Sequence, residues 1–244
     1  MSEWTLHLGD CLDPVTGLAS LPDKSVDHVI TDPPYEADAH TKQRRVKRGG
    51  VCETESLPFD AITADQRSAL GREIGRVCRR WALVYCQVEA SFLWAEALEA
   101  GGLEYVRTMV WVKPDAMPQY TGDRPGMGYE SIVVAHPKGR KRWNGGGRTG
   151  VFVENKNAGR PPGEAAPHPT TKPLPLLVEQ VGLFTDPGDL VLDPFAGSGT
   201  TGVACRMLRR RFIGWELSSD YHAVAMRRLS GSEARPSNAQ PSLF

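Results

Sequence analysis

Apolar and polar positions along the chain switch between a period of two and a period near 3.6. The β-branched run Val26-Asp27-His28-Val29-Ile30-Thr31 stops at Pro33-Pro34, and Ala82-Leu83-Val84-Tyr85-Cys86 is a second short apolar run; both read as buried strands. Between them, Thr63 and Gln66 form a capping box that opens a helix with Leu70, Ile74, Val77 and Trp81 on one face. A second helix runs from about Ala90 to Ala100 and ends at Gly101-Gly102, before strands at Tyr105–Val112 and Ser131–Ala135. Leu174, Leu177, Val178 and Val181 recur at helical spacing. A strand at Asp189–Leu192, a glycine-rich turn, a helix with Val203, Met207 and Leu208 inward, a strand at Phe212–Trp215 and a helix from about Ser219 complete the pattern. This alternation predicts an α/β fold: a mostly parallel sheet with helices on both faces.

Length and composition narrow the picture. With 244 residues, 40% of them hydrophobic, the chain can bury one large core. A single domain over residues 1–229 is expected, followed by a flexible tail at 230–244. No apolar run reaches the roughly 20 residues of a membrane span, and the first residues lack a basic-then-apolar leader, so a cytoplasmic protein is expected. Cys11, Cys52, Cys78, Cys86 and Cys205 are odd in number and form no C-x-x-C pair; neither disulfides nor a metal site is predicted.

Charge is balanced overall, 29 basic against 29 acidic residues, but unevenly distributed. Lys42, Arg44, Arg45, Lys47 and Arg48 form one basic cluster. Lys138, Arg140, Lys141, Arg142 and Arg148 form another, with Trp143 inside it. Both lie in Gly-rich stretches without strand or helix periodicity and read as exposed loops that contact phosphate, with Trp143 available to stack on a base. Solvated loops with a packing tryptophan are the plain alternative.

Two motifs fall at predicted carboxyl ends of strands, where α/β sheets hold their ligands. Thr31-Asp32-Pro33-Pro34-Tyr35 comes early; Asp193-Pro194-Phe195-Ala196-Gly197-Ser198-Gly199-Thr200-Thr201 comes late. The glycines of the second let backbone turn sharply toward a ligand. Gly197 to Gly202 also satisfies G-x-G-x-x-G, and Glu216 ends the following strand where an acid grips ribose hydroxyls, so a dinucleotide-dependent oxidoreductase is one reading.

Taken together, the motifs resemble the S-adenosylmethionine-dependent amino-methyltransferases of DNA, in the class whose catalytic half precedes its cofactor half. His168-Pro169-Thr170-Thr171-Lys172-Pro173-Leu174 and Gly9-Asp10-Cys11 add to the resemblance, which spans about Thr5 to Leu229. It implies a three-layer Rossmann-like fold with Asp193, Phe195, Gly197, Ser198, Gly199, Thr200, His168 and Thr170 around the methionine part of S-adenosylmethionine. It further implies Lys172 near the cofactor carboxylate, Glu216 on the ribose and Asp10 toward the adenine. It places a short target-recognition insertion at about 115–167, where Arg124, Tyr129 and Glu130 lie.

The first motif suits the chemistry this implies. An exocyclic base amine is a poor nucleophile because its lone pair is delocalised; two acceptors aimed at its hydrogens localise that pair. The Asp32 carboxylate is one, and by resemblance the Pro33 carbonyl, fixed by the Pro33-Pro34 pair, is the other. Tyr35 offers a stacking face for a base rotated out of double-stranded DNA. An aspartate-led motif favours adenine N6, with cytosine N4 as the alternative and a catalytically silent DNA-binding protein as a further one. Gln240-Pro241-Ser242-Leu243-Phe244 resembles the peptide by which bacterial proteins bind the sliding clamp; Gln240, Leu243 and Phe244 would be its anchors. A second copy of the chain is a further candidate partner.

Overall fold

The computed structural model describes residues 3–36, 44–48, 51–55, 60–119, 122–159 and 171–231. Strands β1 (Trp4–Leu8), β2 (His28–Thr31), β5 (Ala82–Cys86), β6 (Leu103–Val112), β7 (Tyr129–Pro137), β8 (Val151–Val153), β9 (Leu190–Asp193) and β10 (Arg211–Glu216) form one sheet in the order β1-β10-β9-β2-β5-β7-β6-β8. A separate ribbon pairs β3 (Arg44–Arg48) with β4 (Val51–Glu55). Pairings across β1, β10, β9, β2 and β5 are parallel, as is β6 with β8; β7 runs antiparallel to both its neighbours. The mostly parallel α/β sheet is as expected.

Side-chain alternation along each central strand feeds two apolar layers. Ile30, Leu83, Tyr85, Ile132, Val134, Val191 and Phe212 face one layer, while Val29, Val84, Val133, Ala135, Leu192 and Trp215 face the other. With both faces covered, these strands are continuous apolar runs, which is why they were visible in the sequence. Helices α3 (Leu174–Phe184) and α4 (Thr200–Met207) close the first layer through Leu177, Val181, Val203 and Ala204, with Leu229 of α5 (Ser219–Ser230). Helices α1 (Ala64–Val77) and α2 (Ser91–Ala100) close the second through Leu70, Ile74, Val77, Trp94 and Leu98. Each such side chain contributes roughly 1.5–3 kcal/mol by leaving water.

The capping box forms as predicted: Gln66 N–H donates to Thr63 Oγ1 and Thr63 N–H to Gln66 Oε1. One face assignment is corrected. The helix ends at Val77, so Trp81 does not continue its stripe; it packs in the opposite layer against Phe184. A second correction concerns Arg44–Arg48, expected as loop but folded as an antiparallel strand. The usable signal was Gly49-Gly50 between strands whose register pairs Arg48 with Val51. Within 115–167, β7 and β8 belong to the main sheet, and residues 113–119 and 122–128 are the described parts of the connection at the carboxyl ends of β6 and its neighbours. Among the described residues, no helix is long and apolar enough to cross a membrane.

Candidate active site at the carboxyl pole of the sheet

The antiparallel β7 begins where the parallel strands end. The residues following β1, β2, β5, β6, β9 and β10, and those preceding β7, therefore share one pole. Both motifs lie there on neighbouring strands, β2 and β9. Thr31 Oγ1 donates to Asp193 Oδ1 at 2.8 Å, and Phe195 N–H donates to the same oxygen at 3.1 Å. Asp193 is thus the brace joining the motifs, and burial pushes its carboxyl up to about 6 against those hydrogen bonds.

Asp32 leaves the sheet one residue beyond β2. Its Oδ2 is ion-paired with the buried ammonium of Lys172, which stands at the approach to α3. Lys172 Nζ also lies 3.2 Å from Glu130 Oε2, and Glu130 Oε1 lies 2.5 Å from Lys113 Nζ. The Lys172 ammonium sits 5.0 Å from the ring centre of Tyr85 and 5.7 Å from that of Tyr35. Burial pushes the Asp32 carboxyl upward, with Lys172 opposing the rise. Burial would raise Glu130 too, but Lys172 and Lys113 outweigh it and hold Glu130 at about 2. For Lys172, burial favours the neutral amine, and the two carboxylates overcome it to keep the charge. Among the described residues, Asp32 Oδ1 is buried with no hydrogen-bond partner, an arrangement that costs about 1–3 kcal/mol unless a ligand supplies a donor.

The loop from β9 to α4 offers a cradle. Gly197 (φ 53°) and Gly199 (φ 80°) take left-handed conformations, and no atom of the described residues stands within 4 Å of where a Cβ on Gly197 would be. Glu216 Oε2 accepts from Gly197 N–H and its Oε1 from Ser218 N–H, each at 2.8 Å, so this acid buttresses the loop from β10. Burial raises its carboxyl. Ser198 is buried, with its hydroxyl 3.3 Å from that of Thr171. Arg228 of α5 donates to Ser198 O, Ser198 Oγ and Thr200 Oγ1 at 2.8, 3.1 and 3.1 Å. Phe195 is half-buried against the α1–α2 layer. Asp10 is exposed two residues past β1, and its Oδ1 accepts from Leu12 N–H.

Several expected site residues lie elsewhere. Lys138, Arg140, Lys141, Arg142, Trp143 and Arg148 connect β7 to β8 at the opposite, amino pole, where β5 begins opposite Ala135. Arg142 pairs with Asp186 at 3.3 Å, Lys141 with Glu104 at 3.1 Å, and Arg148 with Glu179. Trp143 meets Phe184 edge-on at 4.8 Å. The structure thus places this cluster at the pole opposite Asp32, with three of its cations in surface ion pairs and Trp143 packed against the core. The backbone at Arg44, Arg45, Lys47 and Arg48 follows the Asp32 segment in the chain. Lys42, His168, Thr170, Gln240, Leu243 and Phe244 lie outside the described residues. Sequence reasoning missed Lys113 and Arg228, and named Glu130 only as part of a recognition region. Trp111-Val112-Lys113-Pro114 after a strand was the sole local cue for Lys113.

Similarity to known proteins extends over most of the chain. A DNA methylase family model for N6 and N4 enzymes matches residues 26–227. Type II methyltransferases M.Cfr9I of Citrobacter freundii and M.XycI of Xanthomonas campestris pv. cyanopsidis are each 36% identical over 150 residues, covering 57% of the chain and 49% of the relative. The chain thus spans about half the length of these curated relatives. The crystal structure of the M1.HpyAVI–SAM complex superposes with a TM-score of 0.67 at 26% identity, over 93% of this chain and all of that one. PvuII DNA methyltransferase, cytosine-N4-specific, shares the fold with a TM-score of 0.73 at 17% identity, over 95% of this chain and 88% of that one. With its fold, its paired motifs and a family match over most of its length, the chain belongs to the N6/N4 DNA methylase family.

Proposed function

We propose that this protein transfers a methyl group from S-adenosylmethionine to the exocyclic amine of a DNA base rotated out of the duplex, with adenine N6 as its target. The observation that carries this reading is Asp32 Oδ1: a buried carboxylate oxygen without a donor among the described residues, at the end of β2, beside the glycine cradle of the adjacent strand. An enzyme that must receive an amine donor keeps such an acceptor unfilled.

The residues at the pole fit the cofactor. The open backbone face at Gly197, the buttressed Gly197–Thr200 turn and the acids Asp10 and Glu216 suit a molecule with an amino acid part and a ribose. When bound, S-adenosylmethionine supplies an electrophilic methyl group. His168, Thr170, Phe195, Ser198 and Asp193 complete the proposed cofactor set. Glu216 retains lone pairs for ribose hydroxyls while it holds the loop. The Lys172 ammonium, engaged by Asp32 and Glu130, supports the acceptor rather than a cofactor carboxylate.

Asp32 accepts one amine hydrogen, and the buried Pro33 offers its carbonyl for the other, drawing the nitrogen toward tetrahedral geometry. As positive charge develops on that nitrogen, the Asp32 carboxylate stabilises it and takes the released proton. Burial, by raising the affinity of Asp32 for a proton, suits it to that last step. Tyr35 stacks on the base, and Arg44, Arg45, Lys47 and Arg48 of the β3–β4 ribbon contact phosphate.

Incubating protein, duplex DNA and labelled S-adenosylmethionine, then digesting the DNA to nucleosides, tests this reading. Label is expected in N6-methyladenine. Label in N4-methylcytosine would reassign the base, and no label across varied DNA would overturn the activity.

A further inference from the structure

We propose that Glu130 is a positioning residue that, by holding Lys172, sets how tightly the ammonium grips Asp32; this rests on Asp32 being the amine acceptor. Four charged groups converge from four separate segments: Asp32 after β2, Lys172 before α3, Glu130 in β7 and Lys113 after β6. Two acids and two bases sum to zero. At this depth solvent screens little, so each pairing acts strongly on the others.

Asp32 has conflicting requirements. It must remain ionised in an apolar pole, which needs a cation, yet an ammonium devoted to it alone would drain the carboxylate of the electron density an amine must find. Glu130 resolves the conflict by drawing Lys172 toward itself at 3.2 Å. Lys113 in turn engages the other Glu130 oxygen at 2.5 Å and lies 4.9 Å from the centre of the Trp111 ring.

The other groups facing Asp32 do not replace this control. Tyr35 and Glu36 come from its own loop, Tyr85 and Cys86 from β5, and Asp193 from β9. Burial pushes both tyrosines and the thiol upward, keeping them neutral near pH 7. Glu36 pairs with Arg67 at 3.3 Å, and Asp193 is held by Thr31 and Phe195.

The test compares full-length parent, Glu130→Gln, Lys113→Gln and the double variant, measuring kcat for methyl transfer across pH 5–9 and S-adenosylmethionine affinity by calorimetry. Removing the negative charge should move the acid limb of kcat, where Asp32 protonates, down by about 1 unit. Lys113→Gln should move it up by a similar amount, and the double variant should lie near the parent. At pH 7, Glu130→Gln should lower kcat at least tenfold, with cofactor Kd within threefold of the parent. Coincident acid limbs in an active set would overturn the proposal while leaving the Asp32 reading intact; an inactive parent would overturn both. If Glu130→Gln fails to fold, the upward shift in Lys113→Gln still decides the matter.

Discussion

The two poles of the sheet each carry a dense cluster of charges against the same core, and they differ in how the acids are satisfied. At the amino pole, Asp189 accepts from buried His28 at 2.9 Å and Arg80 at 3.1 Å, while Asp186 lies 3.6 Å from Arg80 and 3.3 Å from Arg142. Indole N–H groups there find partners too, Trp81 donating to Arg142 O and Trp143 to Gly146 O. At the carboxyl pole, Asp32 keeps a buried oxygen without a donor. A charge cluster is thus a poor marker of function by itself, and so is an unpartnered polar atom, since His28 Nδ1 at the amino pole also lacks a partner among the described residues. An unfilled carboxylate oxygen held in place by paired charges is a better one, because it carries the larger desolvation cost.

The contrast can be broken most directly at Asp32. Asp32→Ala should reduce methyl transfer by at least about 10³-fold, by loss of both acceptor and proton carrier, while calorimetry still detects cofactor binding. Transfer within tenfold of the parent would remove Asp32 from its assigned role. Lys172→Met leaves two buried carboxylates facing each other, and urea unfolding at pH 7.5 should register a loss of about 3–5 kcal/mol. A loss under about 1 kcal/mol would mean the pair is not what holds this pole.

Asp193 sharpens the comparison through pH. Its folded value of about 6 lies above that of an unfolded aspartate, so its protonation favours the fold. That contribution is full below the unfolded value and is lost as pH rises through 6. Relative to Asp193→Asn, the parent should therefore gain about 1.4 kcal/mol in unfolding free energy between pH 7.5 and pH 5. A parallel pH dependence of the two proteins would contradict the burial argument. The smallest effect belongs to the amino pole. Arg142→Gln with Arg148→Gln should leave DNA affinity and its salt dependence within twofold, as followed by fluorescence anisotropy at several salt concentrations. A tenfold loss would return that surface to the DNA interface.

Much of this was legible in the chain because the signals were local. Thr63 and Gln66 announce a helix start by hydrogen bonds three residues apart, and the runs at Val29-Ile30 and Ala82–Cys86 are apolar because both faces of the sheet are covered. The glycines of the β9–α4 turn are dictated by backbone conformation and needed no tertiary information. Less legible were features whose cause is distant. The basic segment 138–148 reads as a DNA-binding loop, and only the antiparallel course of β7 shows that it stands at the amino pole, where Arg142 meets Asp186 and Arg148 meets Glu179. The β3–β4 ribbon escaped because its sequence carries no apolar alternation, and its pairing shows only in the backbone register.

The sequence by itself determined the class of fold, the two motifs and their placement at strand ends, since periodicity, capping and turn chemistry act over a few residues. Tertiary structure alone decided that β2 and β9 are neighbours, that Glu130 and Lys113 share the charge network of Asp32 and Lys172, and that one basic cluster stands at the opposite pole. Electrostatic partnership is set by distance in space and by burial, and Lys172 stands 140 positions along the chain from the carboxylate it holds.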